Sequence, residues 1–156
     1  MTWARGRDEI LGMLERGELS RVVADLGLAK RLLASARRHL ESAAALSAQD
    51  PEPAYAAVYD AIRKALTALL QAQGLRPTTA GGHLTVQHAA RAQFGASMGG
   101  LLRPVDRIRT TRHAVEYLDA DVWIDADAVH ADLPVAVALV DAAEQAVEHL
   151  PVFLPP

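Results

Sequence analysis

Apolar residues recur along this chain at spacings of three and four, the pattern of helices that each bury one face. The clearest run begins after Ser20, a residue type that favours the N-cap position. It contains Val22, Leu26, Ala29, Leu33, Ala36, Leu40 and Ala43. The steps between these residues alternate strictly between four and three, which predicts a long helix from Ser20 to about Ser47. Gly27 would interrupt this helix at a cost of about 1 kcal/mol relative to alanine.

The same pattern predicts further helices on both sides of this run. A short amphipathic segment before Gly17 and a helix that ends at Gly74 are the best delimited. Glycine-rich links are expected on both sides of the third bundle helix, and Pro134 is expected to kink the last one. The predicted helices cover residues 8–15, 20–47, 50–73, 83–94, 101–117 and 128–149.

The length of 156 residues is that of one domain with a buried core. Aromatic residues make up only 4% of the chain, so the core has to be built from Leu, Val and Ala, which favours closely packed helices. No segment has a convincing strand pattern. The sequence therefore predicts an all-α, up-and-down bundle of four to five helices over residues 20–150, with an N-terminal extension over 1–19 that holds the short helix and a C-terminal tail over 151–156.

Charge and cysteine content exclude several classes of protein. The net charge of −3 argues against binding nucleic acid over the whole surface, but it allows a local basic patch. No cysteine is present, so disulfides and thiolate metal sites are excluded. No segment approaches the roughly 20 apolar residues of a membrane span, and the N-terminus lacks the apolar run of a signal peptide. We expect a cytoplasmic protein with no membrane partner.

No metal or cofactor site is predicted. Asp119, Asp121 and Asp125 are spaced loosely like a calcium loop, but the required glycine is missing and His130 stands where an EF-hand has its bidentate glutamate. Asp125 or Asp127 is better suited to cap the last helix. The six histidines lack the spacing of a zinc site, and nucleotide-binding glycine loops and serine hydrolase motifs are absent from the sequence.

An arginine lies on the apolar face of the helix predicted over 101–117. That face consists of Leu101, Val105, Ile108 and Val115. Arg112 lies about 40° from Ile108 and about 60° from Val115 around the helix. A guanidinium in this position needs a partner or access to water. Glu116 four residues on could supply the partner, or the side chain could extend to the surface at the edge of the apolar face.

The same helix is rich in cations. Its arginines are Arg103, Arg107, Arg109 and Arg112. One sector of about 100° beside the apolar face holds Arg109, Arg112, His113, Glu116 and Tyr117. A cation, an imidazole and a phenol together could bind phosphate, for which Arg107 is a further candidate ligand. The same set could equally form salt bridges within the chain, and the physical pattern alone does not separate the two.

The sequence resembles the HEPN domain (higher eukaryotes and prokaryotes nucleotide-binding). The resemblance spans about residues 20–148 and depends on Val58–Leu66, Gly81–His83 and above all Arg109–Tyr117. The family motif is an arginine, a polar residue, three further residues and a histidine. Arg112 matches the arginine and His113 the polar position, while Tyr117 stands where ribonuclease members have their catalytic histidine.

This resemblance implies a homodimer in which the motifs of two subunits face each other across a cleft. In catalytic members of the family, this cleft cleaves RNA without a metal ion. A phenol with a pKa near 10 is a poor general base at neutral pH, so we expect RNA or nucleotide binding with weak or no hydrolysis, in a toxin–antitoxin or defence setting. One alternative is a metal-independent ribonuclease toxin that uses Arg112, His113 and Tyr117. Another is a non-catalytic antitoxin or interaction module paired with a nucleotidyltransferase, for which Tyr117 would be the modified residue.

Overall fold

The computed structural model describes residues 5–117 and 121–153, without the side chain of His83. This part of the chain contains six helices and one small sheet, which confirms the all-α class. In chain order the elements are α1 (Arg7–Glu15), β1 (Leu19–Arg21), α2 (Leu26–Leu46), α3 (Pro51–Ala72), β2 (Leu75–Pro77), α4 (Gly82–Leu102), α5 (Val105–Glu116) and α6 (Ala126–Val147). No helix in the described ranges is long and apolar enough to cross a membrane.

Helices α2, α3 and α6 form the centre of the bundle. The start of α2 lies beside the end of α6, where Lys30 Nζ is 2.6 Å from a Glu148 carboxylate oxygen, and Arg37 bonds Glu144 further along. Helix α2 is therefore antiparallel to α6. Its buried side is the face that the sequence pattern indicates: Ala29, Leu33, Ala36, Leu40 and Ala43. Small alanines on this face allow close packing of the helix axes.

The predicted start of the second helix is wrong. Ser20 does not cap a helix; it pairs with Arg76 in the antiparallel β1–β2 sheet. The cap is Asp25, whose carboxylate accepts a hydrogen bond of 2.8 Å from the backbone N–H of Leu28. Gly27 consequently lies in the first turn and does not interrupt the helix. Each strand has only three residues, too few to produce a recognisable alternation in the sequence.

The glycine-rich segment 95–100 is helical, contrary to the prediction of a link. Helix α4 continues through it to Leu102, with non-helical dihedral angles at Met98 (φ −125°, ψ 18°). Kinks at glycine-rich positions are common in helices. The next helix, α5, begins only at Val105 after a turn at Arg103 and Pro104, so Leu101 belongs to α4. In the sequence, the apolar residues at the end of α4 and at the start of α5 follow one continuous helical spacing, which is why a single helix was predicted there.

Helix α6 begins close to its predicted start. The Asp125 carboxylate accepts a hydrogen bond of 2.9 Å from the backbone N–H of Ala128, which confirms one of the two predicted caps. The helix then continues through the exposed Pro134 to Val147.

A second, smaller apolar cluster joins both ends of the described chain to the bundle. Helix α1 packs on α4, and the cluster consists of Ile10, Met13, Leu19, Leu70, Leu75, Ala89 and Phe153. Phe153 is buried, and its backbone N–H donates to the carbonyl of Gln73. Residues before 20 and after 150 therefore contribute to the packed structure.

Candidate functional site

Helix α5 packs on α3 through its apolar side, where Val105 and Ile108 are buried. Successive arginines then leave the helix in different directions because they are two, three and five residues apart. The structure places Arg107, Arg109 and Arg112 in three separate surroundings. Of these three arginines, Arg112 lines a cavity between α3 and α5, and the other two do not.

Arg107 bonds a buried carboxylate on α6. Its guanidinium donates to both oxygens of Asp132 at 2.6 and 3.0 Å, and Tyr55 on α3 donates its hydroxyl to the same carboxylate at 2.7 Å. Burial opposes ionisation of Asp132, but these hydrogen bonds outweigh it and lower its pKa. Burial and the carboxylate raise the pKa of Tyr55. The three side chains connect α3, α5 and α6, so Arg107 holds the helix in place.

Arg109 faces the other side of α5, toward α4. It bonds Asp106 at 3.2 Å, and the same aspartate oxygen accepts from the side-chain amide of Gln87 at 3.3 Å. The hydrogen bonds from Gln87 and Arg109 lower the pKa of Asp106. Arg109 Nε is buried without a hydrogen-bond partner in the described part of the chain.

Arg112 forms the intrahelical ion pair that the sequence offered as one alternative. Its Nη1 lies 2.7 Å from a Glu116 carboxylate oxygen, and its guanidinium carbon lies 5.6 Å from the centre of the Tyr59 ring. The Arg112 side chain is 27% exposed and that of Glu116 is 52% exposed. Exposed pairs at this spacing contribute only about 0.3–0.5 kcal/mol, so a stronger anion could displace the carboxylate of Glu116.

One side of Arg112 opens into a cavity of about 370 Å³ between the start of α3, the end of α5 and the segment before α6. We call it the α3–α5 cavity. Its lining is Glu52, Pro53, Tyr55, Ala56, Arg112, Val115, Glu116 and Ile124. The walls are mostly apolar, and the charged groups are two carboxylates and one guanidinium. This volume is at the lower end of the about 300–1,000 Å³ typical of small-molecule sites.

A larger groove between α2 and α6, of about 520 Å³, is a weaker candidate because its main charges are paired with each other. Arg37 bonds Glu144 and Asp141, and Lys30 bonds Glu148. A ligand would have to break these ion pairs between two helices of the bundle.

Aromatic side chains are exposed near the α3–α5 cavity. The rings of His113 and Tyr117 are 4.5 Å apart between centroids, and Tyr117 is 71% exposed. Trp123 precedes the cavity residue Ile124 and is 83% exposed. Single exposed apolar side chains are common on soluble proteins, so these rings are candidate ligand contacts only because of their position beside the cavity.

The sequence did not single out several of these residues. Glu52 and Tyr55 are distant in the chain from the arginine-rich segment, Trp123 follows it closely, and none of the three belongs to a motif. Asp132 did have a signal, because it lies one turn before Ala136 on the apolar face of α6 and is buried there. An unpaired carboxylate is rarely placed on such a face.

The acidic segment before α6 is described only in part, since Asp119 lies outside the described residues. Within residues 5–117 and 121–153, no group of three or more His, Asp or Glu side chains could hold a metal ion. No family model matches the chain, and neither a curated protein nor a solved structure gives a match. The resemblance to HEPN domains accordingly stays a prediction based on the motif.

Proposed function

We propose that the α3–α5 cavity and the exposed end of α5 bind a nucleotide or single-stranded RNA, with Arg112 as the phosphate ligand. The observation that carries this proposal is the position of Arg112, which is partly exposed at a cavity, makes a weak ion pair with Glu116 and lies over the Tyr59 ring. Arginine donates two parallel hydrogen bonds to a phosphate, which are roughly twice as strong as neutral ones. A phosphate can therefore compete with Glu116 for the guanidinium, since the ion pair that it replaces is exposed and weak.

The exposed aromatic residues support a ligand that carries bases. Tyr117 and Trp123 are both strongly exposed, although the Tyr117 ring also contacts that of His113. Stacking of a base on an aromatic ring contributes about 1–3 kcal/mol per base. Stacking also requires unpaired bases, so a single strand or a free nucleotide fits this surface better than a duplex.

His113 and Arg109 have smaller roles in this proposal. His113 is exposed beside Tyr117 and can donate to a phosphate. Arg109 and Arg107 contribute positive potential while they remain bonded to Asp106 and Asp132. Hydrolysis is expected to be weak or absent, because a phenol at position 117 is a poor general base.

The motif also underlies two proposals about partners. A homodimer across α5 would bring the Arg112 side chains of two subunits to one cleft, as the HEPN resemblance implies. A partner nucleotidyltransferase could modify the Tyr117 hydroxyl, and the 71% exposure of this side chain favours access by another enzyme.

Binding is tested with Arg112→Ala and the matched control Arg103→Ala, which removes the same charge from an exposed position outside the cavity lining. We expect Arg112→Ala to weaken binding of a fluorescent single-stranded RNA by about tenfold to a hundredfold, the equivalent of one charge-assisted contact. Arg103→Ala should change it by less than about threefold. Fluorescence anisotropy measures the affinity, and far-UV circular dichroism checks the fold.

Equal affinities of Arg112→Ala and the control would contradict the proposal, as would an absence of binding to RNA and to nucleotides. Degradation of the RNA by the wild type, lost in Arg112→Ala and His113→Ala, would replace the binding function by a ribonuclease activity.

A further inference from the structure

We propose that the α3–α5 cavity selects guanine, with Glu52 as the residue that reads the base; this inference rests on the proposed function above. Glu52 lies in the first turn of α3 and lines the same cavity as Arg112. Its carboxylate is exposed and makes no hydrogen bond or ion pair within the described ranges. The cavity thus presents one guanidinium for a phosphate and one free carboxylate for another part of the ligand.

The charge of the cavity excludes a bare phosphate as its best ligand. Arg112 contributes +1, while Glu52 and Glu116 contribute −2, so the lining carries a net charge of −1. A phosphate that displaces Glu116 from Arg112 still faces two carboxylates, whose repulsion weakens binding at short range. A ligand that combines a phosphate with hydrogen-bond donors would satisfy both kinds of group.

The composition of the lining suits a ligand with an apolar part. Pro53, Ala56, Val115 and Ile124 supply apolar walls. Tyr55 also belongs to the lining, but it is buried and its hydroxyl is already bonded to Asp132, so it offers no hydrogen-bonding group to a ligand. A planar aromatic base can bury its faces against such walls while its edge stays free for hydrogen bonds.

An ionised carboxylate accepts hydrogen bonds at two oxygens and donates none. Guanine presents two adjacent donors on its Watson–Crick edge, the N1–H and the exocyclic amino group. Adenine and cytosine present one amino group beside a ring nitrogen that is an acceptor, and uracil presents one N–H between two carbonyl oxygens. In each of these three bases, an acceptor atom would lie against one of the two carboxylate oxygens, and this contact is repulsive. Only guanine therefore places a donor opposite both oxygens of Glu52.

The test is calorimetric titration of the full chain with GMP, AMP, CMP and UMP, and with uridine oligonucleotides that contain one guanosine or one adenosine. We expect GMP to bind at least about tenfold more tightly than AMP, because one bidentate pair to a base discriminates by this amount or more. The oligonucleotide with guanosine should exceed the one with adenosine. A guanine preference in either form supports the proposal, and the stronger ligand identifies whether RNA or the free nucleotide is the source.

Glu52→Gln is the decisive variant, since a glutamine amide offers one acceptor and one donor in nearly the same volume. It should reduce the preference for GMP over AMP to less than about threefold. GMP binding should weaken and AMP binding should strengthen, because the amide pairs with the amino group and the neighbouring ring nitrogen of adenine. Glu41→Gln, at an exposed glutamate that lines the α2–α6 groove, is the matched control and should keep the preference. Thermal unfolding of both variants checks the fold.

Three results separate the two proposals. Equal binding of all four nucleotides, still lost in Arg112→Ala, would overturn guanine selection and leave the phosphate site intact. A guanine preference that survives Glu52→Gln would also overturn the role of Glu52. An absence of binding by every nucleotide and oligonucleotide would overturn both proposals.

Discussion

Replacing Asp132 with alanine should destabilise the protein by about 2–3 kcal/mol. Removal of one partner from a buried pair usually costs about 3–5 kcal/mol, because a charge is left buried and unpaired. Here the remaining charge is that of Arg107, whose side chain is 59% exposed and can turn to water. Most of the cost therefore comes from the Tyr55 hydroxyl, since a buried donor without an acceptor costs about 1–3 kcal/mol.

A double-mutant cycle isolates that hydroxyl. Tyr55→Phe should cost about 1–2 kcal/mol in the wild type, where the hydroxyl donates to a carboxylate at 2.7 Å. In the Asp132→Ala background it should be neutral or stabilising, because it removes the unpaired donor. Urea unfolding followed by far-UV circular dichroism gives each free energy of unfolding, and Asp132→Ala should lower Tm by about 5–10 °C.

The contribution of Asp132 should also depend on pH in a defined direction. Its pKa in the folded protein lies below the ordinary value of 3.8, because the hydrogen bonds from Arg107 and Tyr55 outweigh the effect of burial. The stabilisation is therefore complete above this value and is lost as the pH falls through the folded-state pKa. The difference between wild type and Asp132→Ala should shrink in that acidic range. A cost of less than about 1 kcal/mol at neutral pH, or a Tyr55→Phe cost that is the same in both backgrounds, would refute this account.

Two further predictions concern the segment after α6 and the interior of α6. Phe153→Ala should cost about 3–5 kcal/mol, because this ring is buried in the second apolar cluster; a change in Tm within error would show that the segment after α6 is not part of the folded unit. Pro134→Ala should stabilise the protein by about 1–3 kcal/mol, since the proline is exposed within α6 and lacks the N–H that would bond the carbonyl of His130. A lower Tm for this variant would mean that the ring makes contacts that outweigh the lost hydrogen bond.

The local pattern of the sequence was sufficient for the helical class and for the buried face of α2. The face of α2 from Ala29 to Ala43 was correct because burial of one side imposes a period of 3.6 residues, whatever the partner helix is. The cap at Asp125 was also predictable, since the carboxylate bonds a backbone N–H only three residues away. Interactions within about one turn of helix leave a signal in neighbouring positions.

Contacts between distant segments could not be predicted in this way. Pairing of Ser20 with Arg76 joins two strands of three residues, too short to impose a period, and the sequence pattern was better matched by a helix. The arginines of α5 were recognised as a cationic group, but their partners were decided by the fold. Arg112 forms an ion pair with Glu116, the neighbour four residues on that the sequence indicates, whereas Arg107 forms one with Asp132, which is distant in the chain.

The residues of the candidate site also fall into those found from the sequence and those brought together only by the tertiary structure. Arg112, His113 and Tyr117 were found from the sequence because they share one sector of a single helix and match the motif of the family that the chain resembles. The cavity also requires Glu52 from α3 and Ile124 from the segment before α6, and only the packing of these elements brings them to Arg112. The sequence by itself determined which charged groups α5 presents, and the tertiary structure decided which of them remain accessible to a ligand, because access depends on neighbours that are close in space and distant in the chain.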